Sequence, residues 1–133
     1  MFTAAERNYL GTQRLGRLAT VDEHGAPQNN PVGFRYNPET ATVDIGGLDM
    51  GATRKFRNVR NNPKVAFVVD DIASVNPWMV RGIEIRGRAE APTGEPPKDR
   101  PYLSAEIIRI HPERVFTWGI EPGADGMQKR SVT

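Results

Sequence analysis

Arg14-Leu15-Gly16-Arg17-Leu18-Ala19-Thr20-Val21 runs through Asp22-Glu23-His24-Gly25 into Ala26-Pro27-Gln28-Asn29-Asn30-Pro31-Val32-Gly33-Phe34-Arg35-Tyr36. The first part reads as a strand, Arg14–Val21, with Leu15 and Val21 flanking the apolar Leu18-Ala19 pair. Gly25 sits where a tight turn needs positive φ, so Asp22–Gly25 is a turn. Gln28–Tyr36 is then a second strand, and Asn37-Pro38-Glu39-Thr40 a second turn. Ala41–Gly47 follows as a third strand. Connections this short make the three an antiparallel meander.

Working outward, Thr3-Ala4-Ala5-Glu6 has capping-box spacing, which predicts a short helix from Ala4 to Leu10 that stops at Gly11. A second helix is expected from Arg54 to Asn61, stopped by Asn61-Asn62-Pro63. Lys64–Asp71 is rich in β-formers and reads as a buried strand. Trp78–Ala91 reads as a long strand bent at Gly82 or Gly87, where a missing side chain permits a bulge. Thr93–Pro101 is Pro-rich and expected as a surface loop. Ala105–Trp118 alternates Ile107, Arg109 and His111 with Ile108 and Ile110, as a closing strand would. The tail beyond Gly119 is expected to be irregular. Six strands with one short internal helix predict a mainly β, closed or nearly closed antiparallel barrel.

The chain has 133 residues, which suits one domain over residues 1–133 with a core of its own. Lack of cysteine removes disulfides, thiolate nucleophiles and sulfur-ligated metals, and fits a reducing compartment. The N-terminus has no apolar signal-peptide core, and the longest clean apolar run, Val65–Val69, is far too short to span a membrane. The expectation is a soluble, cytoplasmic protein without a membrane partner.

Net charge is +2, with 14 Arg against 4 Lys. Arg presents a planar fork suited to phosphate and carboxylate groups, although a GC-rich genome produces the same bias. Acids are interspersed along most of the chain, which argues against a nucleic-acid partner met through one basic face. The exception is Arg54–Lys64, with five cations and no acid.

That segment opens on Thr53, a good N-cap, with Phe56 and Val59 spaced to anchor one helix face. Arg54, Lys55 and Arg57 crowd the first turn, where the helix dipole favours anions. Backbone N–H groups, the Thr53 hydroxyl and these cations would together grip a phosphate. The alternative is a solvated helix face whose acidic partners lie elsewhere in the fold.

A second signal is Asn30-Pro31-Val32-Gly33. Pro31 removes a ladder donor, so the stretch belongs at an edge or bulge, and Gly33 allows close approach to the backbone. A flat ring lying against residues 30–33 would account for both features, as would a plain bent barrel strand. Trp78 and Trp118 each read as core, the alternative being that they line a cleft. Two isolated His residues without Cys do not make a zinc site, and no nucleophilic triad, P-loop or Rossmann glycine motif is found.

In order along the chain, these segments resemble the pyridoxamine 5′-phosphate oxidase-like split-barrel proteins. Leu18-Ala19-Thr20-Val21-Asp22 with Gly25-Ala26-Pro27-Gln28 resembles their opening hairpin, and Asn30-Pro31-Val32-Gly33-Phe34 their second strand. Lys55-Phe56-Arg57-Asn58-Val59-Arg60 with Asn62-Pro63-Lys64-Val65-Ala66 is similar to a block of the deazaflavin-dependent branch. Ile110-His111-Pro112, Val115 and Trp118-Gly119-Ile120 resemble the closing strand of a subgroup containing a tetracycline-pathway reductase.

The resemblance implies a six-stranded split β-barrel homodimer with cofactor sites at the subunit interface, and coenzyme F420 as cofactor. By position it implies that Thr53, Arg54 and Lys55, joined by Asn58, bind the phosphate end. Asn30, Pro31, Val32 and Gly33 would back the deazaflavin ring, and Gly46 and Gly47 would pass beside the ribityl chain. The implied activity is hydride transfer from reduced deazaflavin to an unsaturated small organic substrate. The family's oxidase members use FMN and carry arginine-containing motifs for pyridoxal phosphate that are not found here, which argues against vitamin oxidation. Some relatives also place a helix between the fifth and last strands, where this chain has only Pro92–Ser104. The rival expectations are an FMN-binding oxidoreductase and a non-catalytic F420 carrier.

Overall fold

A computed structural model describes residues 1–94, 96 and 100–132. Helix α1 (Ala4–Thr12) is followed by strands β1 (Leu15–Val21), β2 (Pro27–Gly33), β3 (Arg35–Asn37) and β4 (Thr42–Ile45). A 3₁₀ turn at Met50–Ala52 leads into helix α2 (Arg54–Asn61), and then come β5 (Lys64–Ser74), β6 (Met79–Glu90), β7 (Ile108–Trp118) and β8 (Met127–Ser131). No helix among the described residues is long and apolar enough to cross a membrane.

The eight strands form one antiparallel sheet in the order β2-β1-β5-β6-β7-β4-β3, with β8 added beside β7. The two ends of that order, β2 and β3, are consecutive in the chain and separated by Phe34 alone. The sheet must therefore roll until its ends meet, and the meeting line is the split of the barrel. Phe34 is buried there, its ring edge-on to Phe67 with centroids 5.2 Å apart. Alternation along the strand then puts its neighbours Gly33 and Arg35 on the outer face, and both are exposed.

The mainly β split barrel matches the expectation, and two strands more are seen than the six expected. One arises because Gln28–Tyr36 is broken at Phe34. The other is β8, in the tail expected to be irregular. Helix α2 has the expected bounds, and α1 runs two residues past Leu10. The β6–β7 register shifts between Arg86 and Gly87, so the bend expected at Gly82 or Gly87 is at Gly87. The Pro-rich loop expected over Thr93–Pro101 lies partly outside the described residues.

One expectation for the tryptophans is overturned. Trp78 is 64 % exposed, because β5 and β6 run on past the end of β1, whose pairing with β5 stops at Arg17↔Val68. The resulting hairpin end has no sheet beneath it. Trp118 is half-buried, and its indole fills the space over Gly82.

The core is one cluster. Phe67, Val69, Ile83, Ile85, Ile108 and Ile110 are fully enclosed inside the sheet, and α2 seals one end with Phe56 and Val59. Helix α1 is tied on by Tyr9, whose hydroxyl donates to Asp71 Oδ1 at 2.8 Å, while Arg81 grips the same carboxylate with bonds of 2.8 and 2.9 Å. Burial and then the neighbouring Asp71 carboxylate push the Tyr9 phenol well above its ordinary pKa, so it stays a donor at any physiological pH.

A Cβ at Gly87 would stand 2.1 Å from the His111 carbonyl oxygen, a backbone atom fixed by the β6–β7 ladder. Gly87→Ala should therefore lower stability by about 1–3 kcal/mol, read as a lower urea midpoint with an unchanged slope. Gly11→Ala, where nothing lies within 4 Å, should leave the midpoint unchanged or raise it.

Candidate functional site

Strand β4, Thr42-Val43-Asp44-Ile45, is buried at every position. Val43 and Ile45 face the core, so Thr42 and Asp44 lie on the outer face and must be covered from outside. The cover is the connection between β6 and β7. Ser104 N–H donates to the Gly47 carbonyl at 2.8 Å, and Met50 N–H donates to Ser104 Oγ at 3.1 Å. Leu103 lies against Gly46, where an added Cβ would be 3.0 Å away.

A carboxylate buried in this way needs its lone pairs filled. Asp44 accepts from Thr42 Oγ1 at 2.8 Å, Asn37 Nδ2 at 2.9 Å, and Arg109 Nε and Nη2 at 3.1 Å each. Burial pushes its pKa up, but the hydrogen bonds from Arg109, Asn37 and Thr42 outweigh that, and the net direction is below the ordinary value. Strand register extends the pattern sideways. Arg35 stands opposite Asp44, Asp44 opposite Arg109, and Arg109 opposite Glu90. Four strands thus carry a row of alternating charge, and Glu90 pairs onward with His111.

Under the 100–107 cover lies an open cleft of about 450 Å³. Gly33, Phe34 and Arg35 form one wall, Gly46 to Leu48 another, and Tyr102, Leu103 and Ile107 the cover, with Arg100, Asp44 and Arg109 also reaching it. Three residues singled out from sequence, Gly33, Gly46 and Gly47, meet here. Arg54 and Asn58 open instead on a separate cleft of about 320 Å³ beside the Asp22–His24 turn, along with Arg57. Asn30, Pro31 and Val32 line neither cleft; they lie on β2, the free edge of the sheet, with Val32 buried.

Helix α2 divides its first-turn donors clearly. Thr53 Oγ1 accepts from Phe56 N–H at 3.2 Å and donates to the Met50 carbonyl at 2.7 Å, so the hydroxyl is committed to capping. Arg57 N–H goes to the Thr53 carbonyl. The N–H groups of Arg54 and Lys55 are left, since first-turn donors have no intrahelical acceptor. Neither Lys55 nor Arg57 forms an ion pair with a described residue, and Arg54 is felt by Asp22 across the neighbouring turn. Asn58 is buried and donates to Thr20 Oγ1 at 3.0 Å and Gln28 Oε1 at 3.2 Å, and Gln28 in turn donates to Asn30 Oδ1 at 2.7 Å. A polar chain therefore links α2 to β2 directly.

Arg35, Asp44 and Arg109 were not picked out from sequence as site residues. The one available signal was a carboxylate between Val43 and Ile45 in an apolar strand, which calls for a partner without naming it.

The sequence profile described as Pyridoxamine 5'-phosphate oxidase matches residues 2–126. The chain belongs to this family. Within the wider kinship it is 50 % identical over 134 residues to a 5a,11a-dehydrotetracycline/5a,11a-dehydrooxytetracycline reductase of Streptomyces rimosus, covering 99 % of this chain and 94 % of that protein. It is similar to a solved structure described as an F420 reductase, with 27 % identity, a TM-score of 0.55, and coverage of 77 % of this chain and 88 % of that one. A heme-binding protein from Mycobacterium smegmatis shares the fold, with 19 % identity and a TM-score of 0.70, and 98 % of this family member covers 59 % of that chain.

Because the folded-state pKa of Asp44 is depressed, its contribution to stability is complete above the unfolded carboxylate value of about 4 and is lost as pH falls through the folded value. Asp44→Asn should lower stability at pH 7 by about 2–3 kcal/mol, since the Arg109 fork loses its counter-charge. Urea unfolding at stepped pH should then show a shallower loss of stability below pH ~4 for the variant than for wild type.

Proposed function

We propose that this protein is an F420-dependent reductase, passing a hydride from reduced deazaflavin to an unsaturated small organic acceptor. The observation that carries this reading is the 50 % identity over 99 % of the chain to a dehydrotetracycline reductase. That kinship supports an oxidoreductase. The first turn of α2 favours the deazaflavin.

Asp22 and Glu23 lie across the cleft from Arg54, and two N–H groups without acceptors stand in the first turn of α2 with the cations Arg54 and Lys55. Those residues fit a phosphate, and a ligand with more negative charge than FMN suits them better still. Asn30–Gly33 and Gly46–Gly47 offer main chain with little side-chain bulk, as a flat ring system requires. A bound reduced deazaflavin would supply the hydride, two electrons with it, that saturates the acceptor's double bond together with a proton from water. The chain's own part is to bind, orient and shield from water. The site as proposed is completed by a second copy of the chain, which makes the working species a homodimer.

Lys55→Ala should weaken F420 binding by at least about tenfold, the loss of one charge-assisted hydrogen bond. Without ligand the variant should keep or slightly gain thermal stability, because repulsion with the helix dipole is relieved. Lys64→Ala, at the start of β5, should bind as wild type does. Fluorescence titration decides these outcomes, and unchanged affinity in Lys55→Ala would remove the phosphate site from α2.

The same titration with FMN should give weaker binding than F420. Tighter FMN binding would make the chain a flavin enzyme like the oxidases of its family. In sedimentation at micromolar concentration the expected species is a dimer, and a strict monomer would contradict the shared site.

A further inference from the structure

Beside Val115, roughly 20 Å along β7 from Arg109, lies a second hollow. It is a cavity of about 240 Å³ between the first turn of α1, the end of β7, the loop that follows it and β8. Thr117 and Glu6 both line it, and each is 2 % exposed. The Thr117 hydroxyl takes part in no hydrogen bond with a described residue. In Glu6, Oε1 accepts from Thr3 N–H at 2.9 Å and from Arg130 Nη2, while Oε2 accepts from nothing described. Yet every fully enclosed side-chain polar atom among the described residues has a partner. The Thr117 hydroxyl and Glu6 Oε2 are therefore not sealed in; they open on the cavity that the two residues share.

Glu121 adds a third acceptor. Its Oε1 takes the Thr3 hydroxyl at 2.7 Å, and its other oxygen is unclaimed among the described residues. Against the two carboxylates stands one guanidinium, Arg130, already paired with Glu6. Lys129 borders the cavity as well, but it stands opposite Phe116, so its side chain belongs to the other face of the sheet. Open acceptors beside an excess of negative charge call for a cation that brings its own N–H groups. Val115 and Ala124 add an apolar wall.

We propose that this cavity binds a small primary ammonium compound with an apolar body. The N–H groups of the ammonium answer Glu6 Oε2, the free oxygen of Glu121 and Thr117 Oγ1, and the body packs on Val115 and Ala124. An occupant held in this way ties the start of α1 to the loop after β7, so binding stabilises the fold by mass action. Neither the larger cleft nor the first turn of α2 contributes to the site, which stands whatever cofactor the chain uses.

The probe is benzylammonium, compared with benzyl alcohol, benzoate and benzyltrimethylammonium, which keep the ring and change the head group. Amide shifts of the full-length protein are followed by NMR through each titration. Benzylammonium should move the amides of Val115, Thr117 and Gln128 saturably and raise the melting temperature. Its affinity should exceed that of the alcohol and of the trimethyl cation by at least about tenfold. Thr117→Val should weaken benzylammonium binding about tenfold. Without ligand that variant should keep or gain melting temperature, because an unpartnered buried hydroxyl contributes nothing to the fold. Glu121→Gln should also weaken binding about tenfold, and Glu39→Gln, in the β3–β4 turn, should bind as wild type does.

Equal binding of ammonium and alcohol would make the cavity a plain apolar hollow, and tighter benzoate would make it an anion site of Arg130; either overturns the proposal. So would equal binding of the trimethyl cation, unchanged affinity in Thr117→Val, or shifts that do not saturate by about 10 mM. A lower melting temperature in ligand-free Thr117→Val would overturn it too, since the hydroxyl would then be structural.

Discussion

One constraint organises this molecule: the first and last strands of its sheet are the same stretch of chain. Phe34 is the single residue between β2 and β3, and it is locked into the core against Phe67. A sheet whose ends are joined in this way can neither stay open nor close by hydrogen bonds along the seam. It rolls into a barrel with a split. The split leaves the outward main chain of β2 without a neighbouring strand, and it brings Gly33 and Arg35 to the same rim as Gly46 and Gly47. The wall of the larger cleft formed by Gly33, Phe34 and Arg35 follows from that joint.

Two carboxylates lock the rolled sheet from outside. Asp71 gathers Arg81 and Tyr9, fastening α1 to the β5–β6 pair. Asp44 gathers Arg109, Asn37 and Thr42, fastening β4 to β7 and to the end of β3. The locks are alike in chemistry and differ in consequence. The first leaves no charge over. The second fills the acceptor positions of its carboxylate entirely from β3, β4 and β7.

Much of the architecture was legible because period-two patterning and turn residues are local signals. The capping box at Thr3, the turn at Gly25 and the helix from Arg54 to Asn61 are all decided within a few residues. What was missed is either unpatterned or long-range. Strand β8 is almost wholly exposed, so its sequence carries no apolar alternation to betray it; β7 recruits it through the backbone. Trp78 looked like core because a large aromatic usually is, and only the overhang of β5 and β6 beyond β1 explains its exposure. Within the candidate site, the cations of α2 stood out because they oppose their own helix dipole. The Asp44–Arg109 pair did not, since sequence gives no register between strands separated by 65 positions.

Among the described residues, the cover over the larger cleft is held by Ser104, which makes two hydrogen bonds to the 47–50 segment, by Leu103 against Gly46, by Glu106 against Gly51 and by a bridge between Thr93 and Glu106. None of these contacts sets the register of the barrel. Substitutions in this one connection can therefore reshape the room inside the cleft while the sheet goes on dictating where the backbone of Gly33, Gly46 and Gly47 lies. Such a division of labour lets a lineage diversify what it accepts by rewriting about a dozen residues, at little risk to the fold that holds the chemistry.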